Sequence, residues 1–524
     1  MSDKDATPVI GKHILSTLTI GMYQDPRMIY REYIQNSADQ IDTLTEDQRQ
    51  DKIRQTIVID IDERKREVVI TDQATGIPQK DFRERLLNVA DSHKDPSKNK
   101  GFRGIGRLAG LNYCQKLIFE STAKGETVVS RLEMDGGALV KILHDTADRS
   151  LAGEVIQRIS KVSYIENAAK DYDCRFSVIL QDVRLDVGRQ LLDVESVKEF
   201  IAQIAPVPFS NMKFKLGREI SEEAKKAGVH LEEYTVRVNG ETITKLYKDV
   251  LNDAQGRELS AVGKPVYRSI EWHGKKLAWG WFILPMNGVS LPKLTNPERK
   301  IRLRKGNIQI GFDGLLDPYF PEARSNGYML GEIHLLSDSI LPNGDRNALE
   351  VSEEAVALRE RLEKVYFKDL WNAAHKANEL NNAKKAIDAY RNEFAAVEKL
   401  AQSGVGAGVE AKRSELDKAY EKALAGQQKL QKTAGATIRG DFVRDVVVAA
   451  VSDPQRETVQ LQPPEAVNRV RESGKPKESS SNKVKTTGSR LMNVIVKVLS
   501  ANGIETMQAY ELAQKINEEI SATT

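Results

Sequence analysis

"REYIQNSADQ", Arg31 to Gln40, sets Glu32, Asn36 and Asp39 inside an otherwise largely apolar run. At about 100° per residue, positions four and seven further along return close to the starting azimuth, so the three side chains project from one face of a helix. A polar stripe of this kind ordinarily faces water. The alternative is a set of groups gathered for chemistry, and the surrounding sequence has to decide between them. The helical pattern runs from Met28 to Asp42, and "TIVIDIDERKREVVITD" then gives two short apolar strands around a charged turn at Asp62 to Arg66. The second strand ends at Asp72.

That strand end opens "TDQATGI", in which Ala74 and Gly76 follow the aspartate. A carboxylate there can accept hydrogen bonds from an exocyclic amine, and small residues let a flat ring approach the backbone. Plain turn chemistry explains the same residues equally simply. "QATGIPQKDFRERLLNVADS" turns through Gly76 and Pro78 into a helix, and the polar stretch "HKDPSKNK" leads to "GFRGIGRLAG". Gly101, Gly104 and Gly106 are expected to open a further helix. Consecutive backbone N–H groups at such a turn suit a polyphosphate; a flexible loop is the competing explanation. Gly104, Gly106 and Ala109 also satisfy GxGxxA, but a dinucleotide fingerprint must follow directly on a buried strand, and this one follows a charged loop. No GxxxxGK[ST] occurs, which excludes a P-loop.

The bulk properties remove other classes. A chain of 524 residues implies roughly three or four domain-sized units. With 40% hydrophobic and 29% charged residues and no long apolar run, a soluble cytoplasmic protein without membrane association is expected. Cys114 and Cys174 are the only cysteines and stand in no CxxC spacing, so neither a disulfide framework nor a cysteine-rich zinc site is supported. Seven histidines form no HExxH or HxH pair, and a net charge of +3 does not make the whole chain a nucleic-acid binder.

Taken in order, the helix with Glu32, Asn36 and Asp39, the strand-end Asp72 with its small-residue turn, and the glycine-rich stretch resemble the ATP site of the GHKL superfamily. Its members include gyrase B subunits, ninety-kilodalton heat-shock chaperones, MutL-type mismatch-repair ATPases, MORC proteins and histidine kinases. The resemblance covers about residues 10 to 185 and is closest to the chaperone and MORC branches. It implies ATP and Mg²⁺ as cofactors and a Bergerat-type α/β sandwich. Glu32 would be the general base, Asn36 the magnesium ligand, Asp39 a group near the base or sugar, and Asp72 with Gly76 the adenine end. Gly104, Ile105 and Gly106 would cradle phosphates, with Gly101 in the same turn and Lys94 or Lys100 adding charge. Two departures stand out: Ala74 replaces the first glycine of DxGxG, and Asp173-Cys174 replaces a Gly-Thr pair. A thiol is a weaker donor than a hydroxyl, so Cys174 puts the contacts around adenine in question.

"GEIHLLSDSILPNGDRNALE" resembles the chaperone middle-domain segment whose loop reaches back to the nucleotide, which makes Arg346 the arginine near the terminal phosphate. Arg302 and Arg304 in "IRLRKGNIQIG" are the fallback. The expected fold class is therefore α+β: an ATP-binding sandwich at residues 1–220 and a ribosomal-protein-like transducer at 221–352, then a helical region. The last divides into a long hairpin at 353–452, a flexible basic linker at 453–488 and a terminal helical hairpin at 489–524. "YTVRVNGETITKLY" is read as the first hairpin of the second domain. The resemblance implies an ATP-hydrolysing homodimeric clamp acting on a protein client. One competitor is a nucleic-acid-engaging clamp of the MORC or topoisomerase kind, using Arg469, Arg471, Lys475, Lys477, Lys483 and Lys485; phage defence would fit either. A scaffold without useful hydrolysis is disfavoured by Glu32. A histidine kinase is disfavoured because His13 lies too near the ATP motifs.

Overall fold

The computed structural model describes residues 9–19, 23, 25–90, 104–166, 174–284, 291, 293–403, 406–435, 461–467, 496, 508 and 511–515. Lys94, Lys100, Gly101 and Asp173, the basic residues from Arg469 to Lys485 and most of the expected terminal hairpin lie outside them. The chain divides into two compact units, Met1–Pro285 with Ser290–Lys368, and Met286–Val289 with Asp369–Thr524.

The first unit contains helices α1 (His13–Thr19), α2 (Met28–Asp42), α3 (Glu46–Arg49), α4 (Gln79–Leu87), α5 (Gly136–His144), α6 (Ala152–Ile159), α7 (Val194–Ile204) and α8 (Leu216–Lys226). Its larger sheet is built from β1 (Thr56–Asp62), β2 (Glu67–Asp72), β3 (Cys114–Thr122), β4 (Val129–Asp135), β5 (Ser160–Ile165), β6 (Arg175–Val183), β7 (Thr235–Val238) and β8 (Glu241–Thr242). The spatial order is β5-β4-β3-β6-β2-β1-β7-β8. Every pairing is antiparallel except β1 with β7. Ile57, Ile59 and Ile61 alternate with more exposed residues along β1, and Val68, Ile70 and Asp72 do the same on β2. A period of two buries one face of the sheet only. Ile29, Tyr33, Ile34 and Ala38 of α2 share that core with Ile70, Leu117 and Val178. This is an α/β layer with its helices against one side of a mixed sheet.

The structure departs from the sequence reading at β7. The "YTVRVNGETITKLY" hairpin does form, turning at Asn239 and Gly240 with both at positive φ, but β7 pairs in parallel with β1 and completes the first sheet. Asn239 secures the junction by exchanging hydrogen bonds with the backbone of Ile61.

A ribbon of β9 (Val250–Asn252) and β10 (Glu258–Ala261) precedes a second sheet of β11 (Val266–Trp272), β12 (Lys275–Ile283), β13 (Lys300–Lys305), β14 (Ile308–Gln309) and β15 (Leu330–Leu335), ordered β11-β12-β15-β13-β14. Phe209, Phe214, Tyr247 and Trp281 pack edge-on and tilted beneath it. At its centre the Glu332 carboxylate meets Lys245 at 2.8 Å and Arg304 at 2.6 Å. Burial pushes the Glu332 carboxyl up, but the two cations outweigh it and hold it well below the usual range. Burial in turn brings Lys245 down to about 8. The same network ties the two sheets together, because Arg304 donates to the carbonyl of Gln203 at the end of α7 and Asn307 donates to that of Glu232. This fixed joint sets where the loop after β15 falls relative to α2.

Beyond Ser352, whose hydroxyl caps it by accepting from the Ala355 amide, α9 (Glu353–Arg361) closes the second sheet. The helices α10 (Phe367–Gln402), from Asp369 onward, and α11 (Gly406–Gly435) belong to the second unit. Gly426 of α11 sits so close to Ala383 of α10 that a β-carbon would lie 2.9 Å from the Ala383 carbonyl oxygen. No helix among the described residues is long and apolar enough to cross a membrane.

Candidate active site

Helix α2 spans the residues its pattern predicts, and its polar stripe does not face open water. Asp39 is buried, and Glu32 and Asn36 are half-buried. Glu32 lies against the glycine turn: a β-carbon on Gly106 would stand 2.6 Å from Glu32 Oε2. Glycine is therefore required at 106 if the carboxylate is to approach the backbone. The other oxygen, Oε1, accepts from the Arg31 guanidinium at 3.1 Å. The Asn36 side-chain amide, one turn further along, makes no hydrogen bond with any described residue.

The turn itself differs from its sequence reading. Gly106–Leu108 forms a single 3₁₀ turn, and hydrogen-bonded turns lead on to β3 in place of the expected helix. Gly104, Gly106 and Gly110 within seven residues each cost about 1 kcal/mol in a helix interior relative to alanine, and Leu108, Ala109 and Leu111 reach the core from turns. Gly104 also sits at φ +68°, outside helical geometry. The turn thus presents local amides without a helix dipole behind them.

Asp72 ends β2 with its carboxyl fully buried. Oδ1 accepts from the Ala74 amide at 3.2 Å, whereas Oδ2 has no hydrogen-bond partner among the described residues. Burial raises this carboxyl to about 6, with the Ser37 hydroxyl and the Ala74 amide pulling the other way. A buried, unpaired acceptor is costly in a folded chain unless something else supplies the donor. Beside it, Gly76 has φ +65° and a β-carbon there would come within 2.1 Å of the Thr122 carbonyl oxygen. Ser121 locks that turn by accepting from the Ile77 amide at 2.7 Å and donating to the Arg175 carbonyl. Cys174, buried as a free thiol, precedes β6 by one residue. Phe176 is the register partner of Asp72, so the period of two puts Cys174 on the Asp72 side of the sheet. Asp72, Gly76 and Cys174 accordingly gather at one end of the site.

Arg346 comes from the loop after β15, and the joint between the sheets brings that loop to α2. Arg31 spans the gap, donating to Glu32 and, at 3.0 Å, to the Asp345 carbonyl. Arg346 is buried and left-handed at φ +55°, a conformation that costs a non-glycine residue energy and that its surroundings must enforce. Its own carbonyl accepts from the Gly311 amide at 2.7 Å. Tyr23 senses the convergence: burial, then the charge of Glu32, raises its phenol, while Arg31 and Arg346 oppose the rise. The fallback arginines are committed elsewhere. Arg302 donates to the carbonyls of Pro297 and Glu298, and Arg304 to Gln203, Asn307 and Glu332.

Residues 29–157 match the family of histidine kinase-, DNA gyrase B- and HSP90-like ATPases. The matched stretch begins at the second residue of α2 and ends inside α6, so it holds Glu32, Asn36, Asp39, Asp72, Gly76 and the Gly104–Gly106 turn. It supports a GHKL-type ATPase domain here and suggests ATP binding and hydrolysis; Cys174 and Arg346 lie beyond it. No curated protein matches the chain. Within the matched stretch, sequence reasoning missed Arg31 and Tyr33. Arg31 shares an azimuth with Gln35, Ala38 and Asp42, a second stripe on α2 that the pattern contained.

Proposed function

We propose that this chain binds ATP with magnesium in the GHKL site, hydrolyses it, and uses the cycle to close and reopen a homodimeric, chaperone-like clamp on a protein client. The observation that carries this reading is the placement of Glu32. One carboxylate oxygen is held by Arg31, the other faces the glycine turn, and Arg31 also grips the loop bearing Arg346. A carboxylate so oriented accepts a proton from an attacking water. Backbone amides of Gly104, Ile105 and Gly106 donate to phosphate oxygens, and the Arg346 guanidinium offers a planar, permanently charged fork for the terminal phosphate.

The residues present fit the two cofactors. The orphaned Asp72 Oδ2 needs a donor of the kind an adenine amine supplies. Asn36 offers one oxygen; magnesium binds few protein groups and takes phosphate and water oxygens for the rest. When bound, the metal neutralises phosphate charge. Cys174 supplies at most a weak donor near the base.

Phosphate release from Mg-ATP by the full chain tests the reading. The wild type should turn over, and Glu32→Ala should lose about 10²- to 10⁴-fold in rate with ATP binding retained. Wild-type turnover in the variant removes Glu32 from the role of base. Sedimentation with a non-hydrolysable analogue tests the clamp, which fails if the chain stays monomeric at every nucleotide and protein concentration.

A further inference from the structure

The GHKL reading leaves unexplained what keeps the glycine turn against Glu32, since no helix follows to anchor it. Tyr33, the next residue on α2, is buried with its ring in the core. Its hydroxyl accepts from the Gly110 amide at 2.9 Å and donates to the Arg107 carbonyl at 3.2 Å. One phenol thus bonds both sides of the segment that follows Gly106. Gly110 is shaped to this contact, because a β-carbon there would lie 2.7 Å from the Tyr33 oxygen. From the other side, the Arg107 guanidinium donates to the carbonyls of Arg85 and Asn88 at the end of α4, and to that of Gly104 at 3.0 Å. The fork of an arginine can hold several carbonyls at once, which a lysine ammonium on a flexible stem does less well.

We infer that Tyr33 and Arg107 are a positioning pair that sets the phosphate-facing turn relative to Glu32, a role that rests on the nucleotide reading above. Neither side chain touches the phosphate. Tyr33 fixes the turn to the helix that carries the base, and Arg107 fixes its first glycine to the end of α4. Removing either leaves the adenine end untouched, because Asp72, Gly76 and Cys174 are held by β2, β3 and β6. The consequence falls on the chemical step, where a displacement of about 1 Å costs about 100-fold.

The test uses the full chain with Tyr33→Phe, which keeps the ring and removes only the hydroxyl, and with Arg107→Ala on the half-buried side of the turn. Each should lower kcat for ATP by about 10- to 100-fold, with ADP affinity unchanged and the melting temperature lowered by no more than the few degrees that one unpaired buried group costs. Gly110→Ala adds a check: it should damage turnover in the wild type and do less harm in Tyr33→Phe, where the colliding oxygen is gone. Unchanged kcat in both single variants, beside a wild type whose turnover depends on Glu32, overturns the pair alone. A loss of ADP affinity and melting temperature in parallel with kcat assigns them a merely structural role and also overturns it. A wild type with no Glu32-dependent turnover removes the nucleotide reading and this inference with it.

Discussion

Replacing Asp72 by asparagine should make the nucleotide-free protein more stable while abolishing ATP binding. The Asp72 carboxyl titrates near 6 in the folded chain against 3.8 as its ordinary value, because burial disfavours its charge. An acid whose pKa is raised on folding binds its proton more tightly in the native state. Its contribution is nil below 3.8, opposes folding increasingly as pH rises from 3.8 to about 6, and is fully present above 6. At pH 7 that opposition amounts to about 3 kcal/mol. The asparagine side chain would carry no such charge, although its amide hydrogens bring their own need for acceptors, so a net gain of about 1–2 kcal/mol is expected. A gain of that size raises the melting temperature by a few degrees. Wild type should gain about 2.7 kcal/mol from ATP at a hundred times its Kd, whereas the variant should gain none, since an amide N–H would confront the adenine amine. Thermal melts of both proteins, with and without Mg-ATP, provide the assay. An equal ATP-dependent rise in the two, or a variant less stable than wild type without nucleotide, refutes the argument.

Other consequences follow from the same geometry. ATP affinity of the wild type should weaken as pH falls through about 6, where Asp72 takes up a proton, and stay level above it; calorimetry across that range reads the inflection. Gly76→Ala places a β-carbon 2.1 Å from the Thr122 carbonyl oxygen at a positive φ, so loss of both nucleotide binding and melting temperature is expected in the same melts. Arg346→Ala should depress kcat strongly, by less than the roughly 10³- to 10⁵-fold of GTPase arginine fingers because backbone amides share the charge, with ATP affinity retained. Steady-state assays beside Arg302→Ala and Arg304→Ala variants separate this from a fold defect, since those two arginines are already engaged with carbonyls and Glu332.

Much of the first layer was legible in the sequence because its signals are local. The stripe on α2, the alternation in β1 and β2 and the glycine at a forced turn each need only neighbouring residues to be read. The parallel pairing of β7 with β1 was not legible: about 180 residues separate Thr56 from its partner Thr235, and nothing in either strand specifies the other. The absence of a helix after Gly106 was written in the spacing of Gly104, Gly106 and Gly110, but the apolar residues between them imitated a helical pattern. Arg302 and Arg304 alternate on β13 like surface residues, and only the tertiary fold reveals that Glu332 and a ring of carbonyls enclose them. Arg31 was hidden for a related reason. Its partner, the Asp345 carbonyl, lies 314 residues away and arrives through the joint between the two sheets.

A structure of the full chain with magnesium and a non-hydrolysable ATP analogue tests the account most directly. It should show the adenine amine donating to Asp72 Oδ2, the metal on Asn36, and the terminal phosphate between Glu32, the Gly104–Gly106 amides and Arg346. Nucleotide bound away from Asp72, or no nucleotide at saturating concentration, would contradict it.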